Sequence, residues 1–352
     1  MARSQASGVS PSAHPHPSFL GRNHGPSGLA SARVDTSTTP RNFAITGVGG
    51  YIAPRHLKAI RDTGNRLVAA VDTKDSVGLL DQYSFDVRFF NEVERFDRHL
   101  EKLRRGAEAD KVHYLTVCSP NYLHDAHCRL GLRVGADVIC EKPLVINPWN
   151  LDPLRELEAE TGKRVYTVLQ LRVHPKLIEL RERLLRERPG QPHQVELTYI
   201  TARGGWYDVS WKGSIEKSGG VSTNIGIHFF DMLSWLFGGV ESHAVHLRQP
   251  RRMAGAINLE RARVRWFLSV ESKDLPVAPV PGAKSTFRSI TVDGEEIEFS
   301  EGFGDLHTVV YREMMAGRGY GIDDVRGSIE LAHHIRTDEV VSPGDAGHRL
   351  LR

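Results

Sequence analysis

Cysteine is scarce: Cys118, Cys128 and Cys140 are the only three in 352 residues. Their number is odd and their spacing matches no metal-ligand pattern, which argues against a disulfide-stapled scaffold and a thiolate metal centre. They read as reduced, mostly buried thiols of a cytosolic, cytoplasmic protein, and no metal is expected. Excess charge is lacking too. Forty-six basic and 43 acidic side chains leave a net +3, too little to draw in nucleic acid or an anionic membrane surface. Long hydrophobic runs are also missing. The densest apolar stretch, Ile225 to Val240, is broken by His228 and Asp231 and cannot span a bilayer. Internal repeats are absent. What is present is a chain long enough for two modest domains, each with its own core.

Residues 1–40 differ from the rest. They are rich in Ser, Pro, Gly, Ala and His, carry one acid (Asp35) and lack periodicity. Such a segment buries too little apolar surface to offset its ordering entropy. A disordered tail, or translation from an upstream start, is expected. It lacks the apolar core of a secretory signal, while its scattered Arg residues and shortage of acids faintly resemble a transit peptide.

From Asn42 onward, short β-branched runs alternate with helical periods. Strands are expected at 43–46, 67–71, 114–117, 138–140 and 165–169. Helices are expected at 54–63, around Phe96, Leu100 and Leu103, at 123–134, and at 151–160 closed by Gly162. This alternation predicts a doubly wound parallel sheet over 41–170. After Leu171 the pattern changes. A helix at 175–188, strands at 194–201, 243–247, 262–270 and 287–292, a hairpin at Asp293-Gly294 into 296–299, and helices at 229–237 and 305–315 predict an α+β domain over 171–340. Its sheet is expected to be mostly antiparallel and open on one face, which suits pairing with another subunit. Residues 341–352 read as a flexible tail.

Four segments carry chemistry. Gly47-Val-Gly49-Gly50-Tyr51-Ile52-Ala53-Pro54 joins a strand to a helix. Its glycines let the backbone approach a pyrophosphate, which the free amides of the helix start would meet. The best-fitting small residues are Gly47, Gly50 and Ala53, one residue longer than the standard spacing. Asp72 ends the second strand, where a carboxylate accepts ribose hydroxyls and repels a 2′-phosphate, so NAD is favoured over NADP; Lys74 pulls the other way. Ser119-Pro-Asn121-Tyr-Leu-His124 lies at the carboxyl edge of the fourth strand, where open sheets hold ligands. Asn121 has two roles open to it, ligand contact or helix cap, and His124 is either a packed imidazole or a cofactor contact. Glu141-Lys142-Pro143 follows the fifth strand. A lysine there is placed to hydrogen-bond a substrate hydroxyl and stabilise its developing charge, with Glu141 holding the ammonium. In Ser218-Gly219-Gly220…Asn224…His228…Asp231, a helix starting near Thr223 puts the last three residues on one face. His228 is then a satisfied core histidine or a general base.

The order of these motifs resembles the glucose–fructose oxidoreductase and inositol dehydrogenase (Gfo/Idh/MocA) family over residues 41–337. Members pair an amino-terminal Rossmann domain with an α+β domain whose open sheet mediates dimers or tetramers. By position, Lys142 and His228 would be the catalytic pair. The resemblance is stronger for bacterial enzymes that oxidise the 3-hydroxyl of UDP-N-acetyl-glucosaminuronic acid, in making diacetamido-uronic acids for lipopolysaccharide O-antigen. It rests on Thr201-Ala-Arg203-Gly-Gly-Trp206-Tyr207-Asp-Val-Ser-Trp211-Lys212-Gly213 and on 47–56, 95–105 and 119–127. In that loop Arg203 and Lys212 suit a uronate carboxylate or diphosphate, and Trp206, Tyr207 and Trp211 offer flat faces; packing of the loop against a neighbouring subunit is the other reading. Asn224 stands where many members carry Asp and cannot take a proton, so base duty falls on His228.

The expected cofactor contacts are Gly47, Gly49, Gly50, Tyr51, Ile52, Asp72, Ser119, Asn121, His124, Glu141 and Lys142. The expected substrate contacts are Lys142, Gln170, Arg172, Arg203, Tyr207, Trp211, Lys212, Asn224 and His228. The resemblance implies a UDP-sugar substrate, NAD and a homo-oligomer. Oxidation of a free polyol, and a nonenzymatic dinucleotide- or sugar-sensing regulator, are the competing readings.

Overall fold

The computed structural model describes residues 39–75, 77–187, 190–278, 285–299 and 303–351. The expectation for residues 1–40 therefore lies, apart from Thr39 and Pro40, outside the described residues. Fully apolar strand interiors need cover on both faces, and the first half of the chain supplies it. Strand β1 (Asn42–Thr46) is buried along its whole length and leads into helix α1 (Ala53–Asp62). Then follow β2 (Arg66–Val71), β3 (Arg88–Phe90), α2 (Val93–Arg104), β4 (Tyr114–Val117) and α3 (His124–Arg133). Strand β5 (Asp137–Cys140), α4 (Leu151–Thr161) and β6 (Val165–Thr167) complete this half. Among the described residues the six strands pair in parallel in the order β3-β2-β1-β4-β5-β6. The strand order reverses beside β1, so the ends of β1 and β4 frame a crevice. All three cysteines are buried.

The second half opens with α5 (Pro175–Arg186) and β7 (His193–Thr201), followed by the one-turn helices α6 (Trp206–Val209) and α7 (Ile215–Ser218) and by α8 (Ile227–Phe237). Strands β8 (Val240–Arg248), β9 (Arg252–Leu259), β10 (Ala262–Ser269), β11 (Thr286–Val292) and β12 (Glu295–Glu296) come next. They form a mixed sheet in the order β12-β11-β7-β10-β9-β8, antiparallel except where β10 pairs with β7. The Asp293-Gly294 hairpin forms with φ of 51° and 87° at its two turn residues.

Five described helices and strands have no counterpart in the sequence reading: β3, β9, α6, α7 and a last helix, α10 (Ile322–Thr337), which follows α9 (Leu306–Met315). Strand β9 is rich in small residues because Trp266 covers it; a Cβ on Gly255 would lie 2.8 Å from that indole. Helices α9 and α10 return the chain to the first half. Tyr311 stacks on Phe43 of β1, so the parallel sheet draws part of its cover from beyond residue 300.

One face of the mixed sheet carries α8. The opposite face presents Ile200, Ala254 and Phe267 with Leu247, Phe287 and Leu351. Residues 341–351 do not hang free of it. His348 is fully buried, stacks on Phe267 at 5.6 Å and meets Thr198 Oγ1 at 3.0 Å. The flexible-tail expectation is corrected accordingly: an aromatic sheet face in reach of the chain end gives it apolar surface to bury.

Candidate active site

The turn after β1 runs against the backbone after β4. Gly47 donates to Val71 O at 2.8 Å with φ of 75°, and a Cβ there would come within 2.6 Å of Cys118 and Ser119 backbone atoms. Only glycine fits. Gly50 closes the turn onto Gly47 O at 3.0 Å, and Pro54 starts α1 without wasting an amide. Asp72 follows β2 and accepts Gly49 N at 2.9 Å and Lys74 N at 3.0 Å. A bare backbone turn at a helix start, with a carboxylate 23 residues beyond Gly49 and bonded to it, fits the diphosphate and ribose of a dinucleotide.

The turn opens into a cavity of about 590 Å³ lined by both halves of the chain. Every expected site residue except Arg172 lines it. Lys142 and His228 are brought together there. Lys142 leaves the loop after β5 and donates from Nζ to Asn224 O at 2.9 Å. Burial, with Lys212 and Arg203 adding repulsion and Glu141 opposing, lowers its ammonium to about 8. His228 makes no side-chain hydrogen bond among the described residues. Burial and then the Lys142 charge hold its pKa well below the usual histidine value, so the ring is neutral.

Four side chains take partners that the sequence did not settle. Glu141 does not hold the Lys142 ammonium. Its Oε1 accepts from His56 Nε2 at 2.9 Å and His307 Nε2 at 3.2 Å, while Oε2 takes the Lys142 amide at 3.2 Å. Burial disfavours its charge, but bonds from His307 and His56 outweigh that and hold its carboxyl well below the usual range. Neutral His56, whose pKa burial lowers, takes Tyr311 OH on Nδ1 at 2.8 Å. The donor atoms of His56, Glu141 and His307 lie close enough for a cation, but hydrogen bonds among them account for the arrangement without one.

Secondly, Asn121 does not cap α3. Its Nδ2 donates to Ser218 O at 2.9 Å and approaches Asn224 Oδ1 at 3.5 Å, tying the two halves together. Thirdly, the His124 ring lies between two cavity loops, its nitrogens facing Pro143 O at 2.7 Å and Ser119 O at 2.8 Å.

Fourthly, Arg172, expected among the substrate contacts, does not line the cavity. It forms a two-pronged pair with Asp231 at 2.7 and 3.0 Å and lies over Tyr320. The single helical face drawn through Asn224, His228 and Asp231 divides within α8, after a π-turn at residues 222–226: only the first two line the cavity. Asn224 and His228 face the cavity, and Asp231 turns to Arg172.

At the far end, Arg203 and Lys212 both lie 5.9 Å from the Trp206 ring, and Lys212 lies 5.7 Å from Trp211. Burial and Arg203 lower the Lys212 ammonium. Arg288, Tyr199, Thr201 and Phe303 also line the cavity and were not expected. The one available signal was a charge inside the apolar run of β11. Only the strand pairing, which sets Arg288 opposite Tyr199, turns it inward.

This fold and site define a dinucleotide-dependent oxidoreductase. Residues 41–169 match "Oxidoreductase family, NAD-binding Rossmann fold" and residues 181–341 match "Oxidoreductase family, C-terminal alpha/beta domain"; the chain belongs to this Gfo/Idh/MocA family. It is similar to the WlbA (WbpB) dehydrogenase from Thermus thermophilus, solved with NAD and α-ketoglutarate and with NAD and UDP-GlcNAcA. Identity is 50%, the TM-score is 0.84, and the match covers 89% of this chain and 100% of that one. The WlbA dehydrogenase from Bordetella pertussis, at 20% identity and a TM-score of 0.69 over 85% of this chain and 97% of that one, shares the fold. Inositol 2-dehydrogenase of Rhizobium meliloti is 25% identical over 56% of this chain and 54% of its own length. For the first relatives found by sequence, the match spans 32%, 40% and 54% of their length. Among the described residues no helix is long and apolar enough to cross a membrane.

Proposed function

We propose that this chain is an NAD-dependent dehydrogenase that oxidises the 3-hydroxyl of UDP-N-acetyl-D-glucosaminuronic acid to the 3-keto sugar. The observation that carries the reading is the meeting of Lys142 and His228 in one cavity, between the Gly47–Asp72 turn and the cationic Arg203–Lys212 end. Half-identity to a dehydrogenase crystallised with NAD and UDP-GlcNAcA supports the choice of substrate.

NAD, when bound, supplies the hydride acceptor. The neutral His228 ring takes the proton of the 3-hydroxyl. Lys142, still protonated below about pH 8, hydrogen-bonds the same oxygen and offsets the charge that develops as the proton leaves. Asn224 O steadies the ammonium and Asn224 itself takes no proton. Arg203 and Lys212 hold anionic groups of the nucleotide, and Tyr207 and Trp211 give flat faces to a ring. A 2-oxo acid that regenerates the oxidised cofactor in place belongs to the proposal, because the Thermus relative was crystallised with one; its keto carbon would be reduced to a 2-hydroxy acid.

The reading extends to a cytoplasmic homo-oligomer assembled through the mixed sheet, whose 3-keto product an aminotransferase consumes in lipopolysaccharide O-antigen synthesis. Purified protein given a panel of UDP-sugars, with mass spectrometry for a loss of two mass units, tests it. Oxidation of UDP-N-acetylglucosaminuronic acid is expected. Turnover of a free polyol such as inositol, with the UDP-sugars untouched, would overturn it.

A further inference from the structure

The cationic groups of the cavity fall into two sets. Lys142, Lys212 and Arg203 feel one another's charge. Arg288 stands apart, and its charge falls on His228. It leaves β11 opposite Tyr199, with its guanidinium carbon 4.8 Å from the Phe299 ring centre, 4.9 Å from Phe303 and 5.8 Å from Tyr199. Three rings around a planar cation fix its orientation before any ligand arrives.

Its polar atoms are poorly matched by the protein. Nη1 reaches Phe299 O at a long 3.4 Å, and Nε is buried with no partner. Among the described residues Arg288 forms no ion pair. Burial lowers its pKa from the usual arginine value, while the Tyr199 phenol, which also hydrogen-bonds it, and then exposed Glu298 favour its charge. The half-buried guanidinium lines the cavity and has N–H groups to offer an external acceptor there. The acceptor its fork fits is a carboxylate, met by two parallel N–H bonds.

We propose that Arg288 is a carboxylate-binding residue that anchors the ligand's carboxylate beside His228, leaving Arg203 and Lys212 to the diphosphate. This rests on the reading of the cavity as a sugar-nucleotide site. Two ligands carry the required group close to the reacting carbinol or keto carbon: the uronic acid ring and a 2-oxo acid. The proposal makes Arg288 the residue that separates a uronic acid from the parent hexose.

The test compares full-length wild type with R288Q and with R288K, which keeps the charge without the fork. One arm measures kcat/KM for UDP-N-acetylglucosaminuronic acid and for UDP-N-acetylglucosamine, which lacks the carboxylate. The other titrates 2-oxoglutarate against tryptophan fluorescence, since Trp211 lines the cavity. R288Q is expected to lower kcat/KM for the uronic acid by about 10- to 150-fold, the range for a hydrogen bond to a charged group, with a much smaller change for the hexose and R288K intermediate. Loss confined to the sugar arm assigns the site to the uronate. Loss confined to the 2-oxoglutarate arm assigns it to the second substrate, and loss in both gives one anchor for both. Equal loss for uronic acid and hexose with unchanged 2-oxoglutarate binding, or no loss in either arm, overturns the proposal. Should R288Q fail to fold, R288K with wild-type selectivity in both arms overturns it as well. Wild type inert on every UDP-sugar counts against the activity reading, and the 2-oxoglutarate arm still decides the carboxylate claim.

Discussion

In the proposed mechanism Lys142 and His228 divide the acid–base work, because burial acts on them alike but leaves them in different states. A lysine lowered to about 8 is still an ammonium at neutral pH, whereas a histidine held well below its usual value is a neutral base. The sign follows for activity. A group needed in its protonated form fails as pH rises through its pKa, so kcat/KM is expected to hold near neutrality and to fall above about pH 8. Glu141 raises the Lys142 pKa. Removing its charge in E141Q is therefore expected to move that falling limb to lower pH, as read from pH–rate profiles; an unmoved limb would show that Glu141 only supports the loop. Lys142→Ala and His228→Asn are each expected to lower kcat by about 10²-fold or more, and near-normal turnover would strike that residue from the mechanism.

The π-turn at 222–226 carries Asn224 to the cavity and leads into the helix that carries His228 there. Gly219 and Gly220 set it up in left-handed conformation, and a Cβ on Gly219 would lie 2.4 Å from Thr223. G219A is expected to cost more than about 1 kcal/mol of stability, the scale for an incompatible backbone position, and to weaken sugar binding by displacing Asn224 and His228. Denaturant melts and substrate titration read the two effects. The Arg172–Asp231 pair is buried on both sides. Cutting it with D231A leaves a guanidinium stranded, which costs about 3–5 kcal/mol at such sites. The test is again a denaturant melt, and a loss below about 1 kcal/mol would show that solvent reaches the pair. The helix carrying both Asn224 and Asp231 was legible as buried and polar-striped. That Asp231 pairs with Arg172 was not, because residue spacing does not say which neighbour a buried polar side chain meets.

The closing segment ties the far end of the chain to the mixed sheet. Burial first, then Arg349 and Arg265, lower His348 to about 4. Its folded pKa lies below the unfolded value near 6.5, so the docked segment is most stable above that value. It loses stability as pH falls from about 6.5 toward about 4. Limited proteolysis across this range is expected to release the carboxyl-terminal segment at the acid end, and H348Q should flatten the dependence. The same face is where subunits are proposed to pair, so sedimentation of a chain truncated after residue 340 reads whether the segment assists or limits association.

Sequence periodicity alone marked most of the strands of both sheets, since alternation of short apolar runs with amphipathic helices is local information. The glycine turn, the strand-end acid and the Glu-Lys-Pro and His228 motifs were likewise readable, because their chemistry depends on residue type and position along the chain. Pairing was not. That Glu141 turns from Lys142 toward His56 and His307, that Arg172 is spent on Asp231, and that Arg288 lines the same cavity as His228 all depend on elements separated by dozens to well over a hundred residues. Only tertiary structure decides which distant charges become neighbours, because a buried charge takes whatever partner the fold brings within reach.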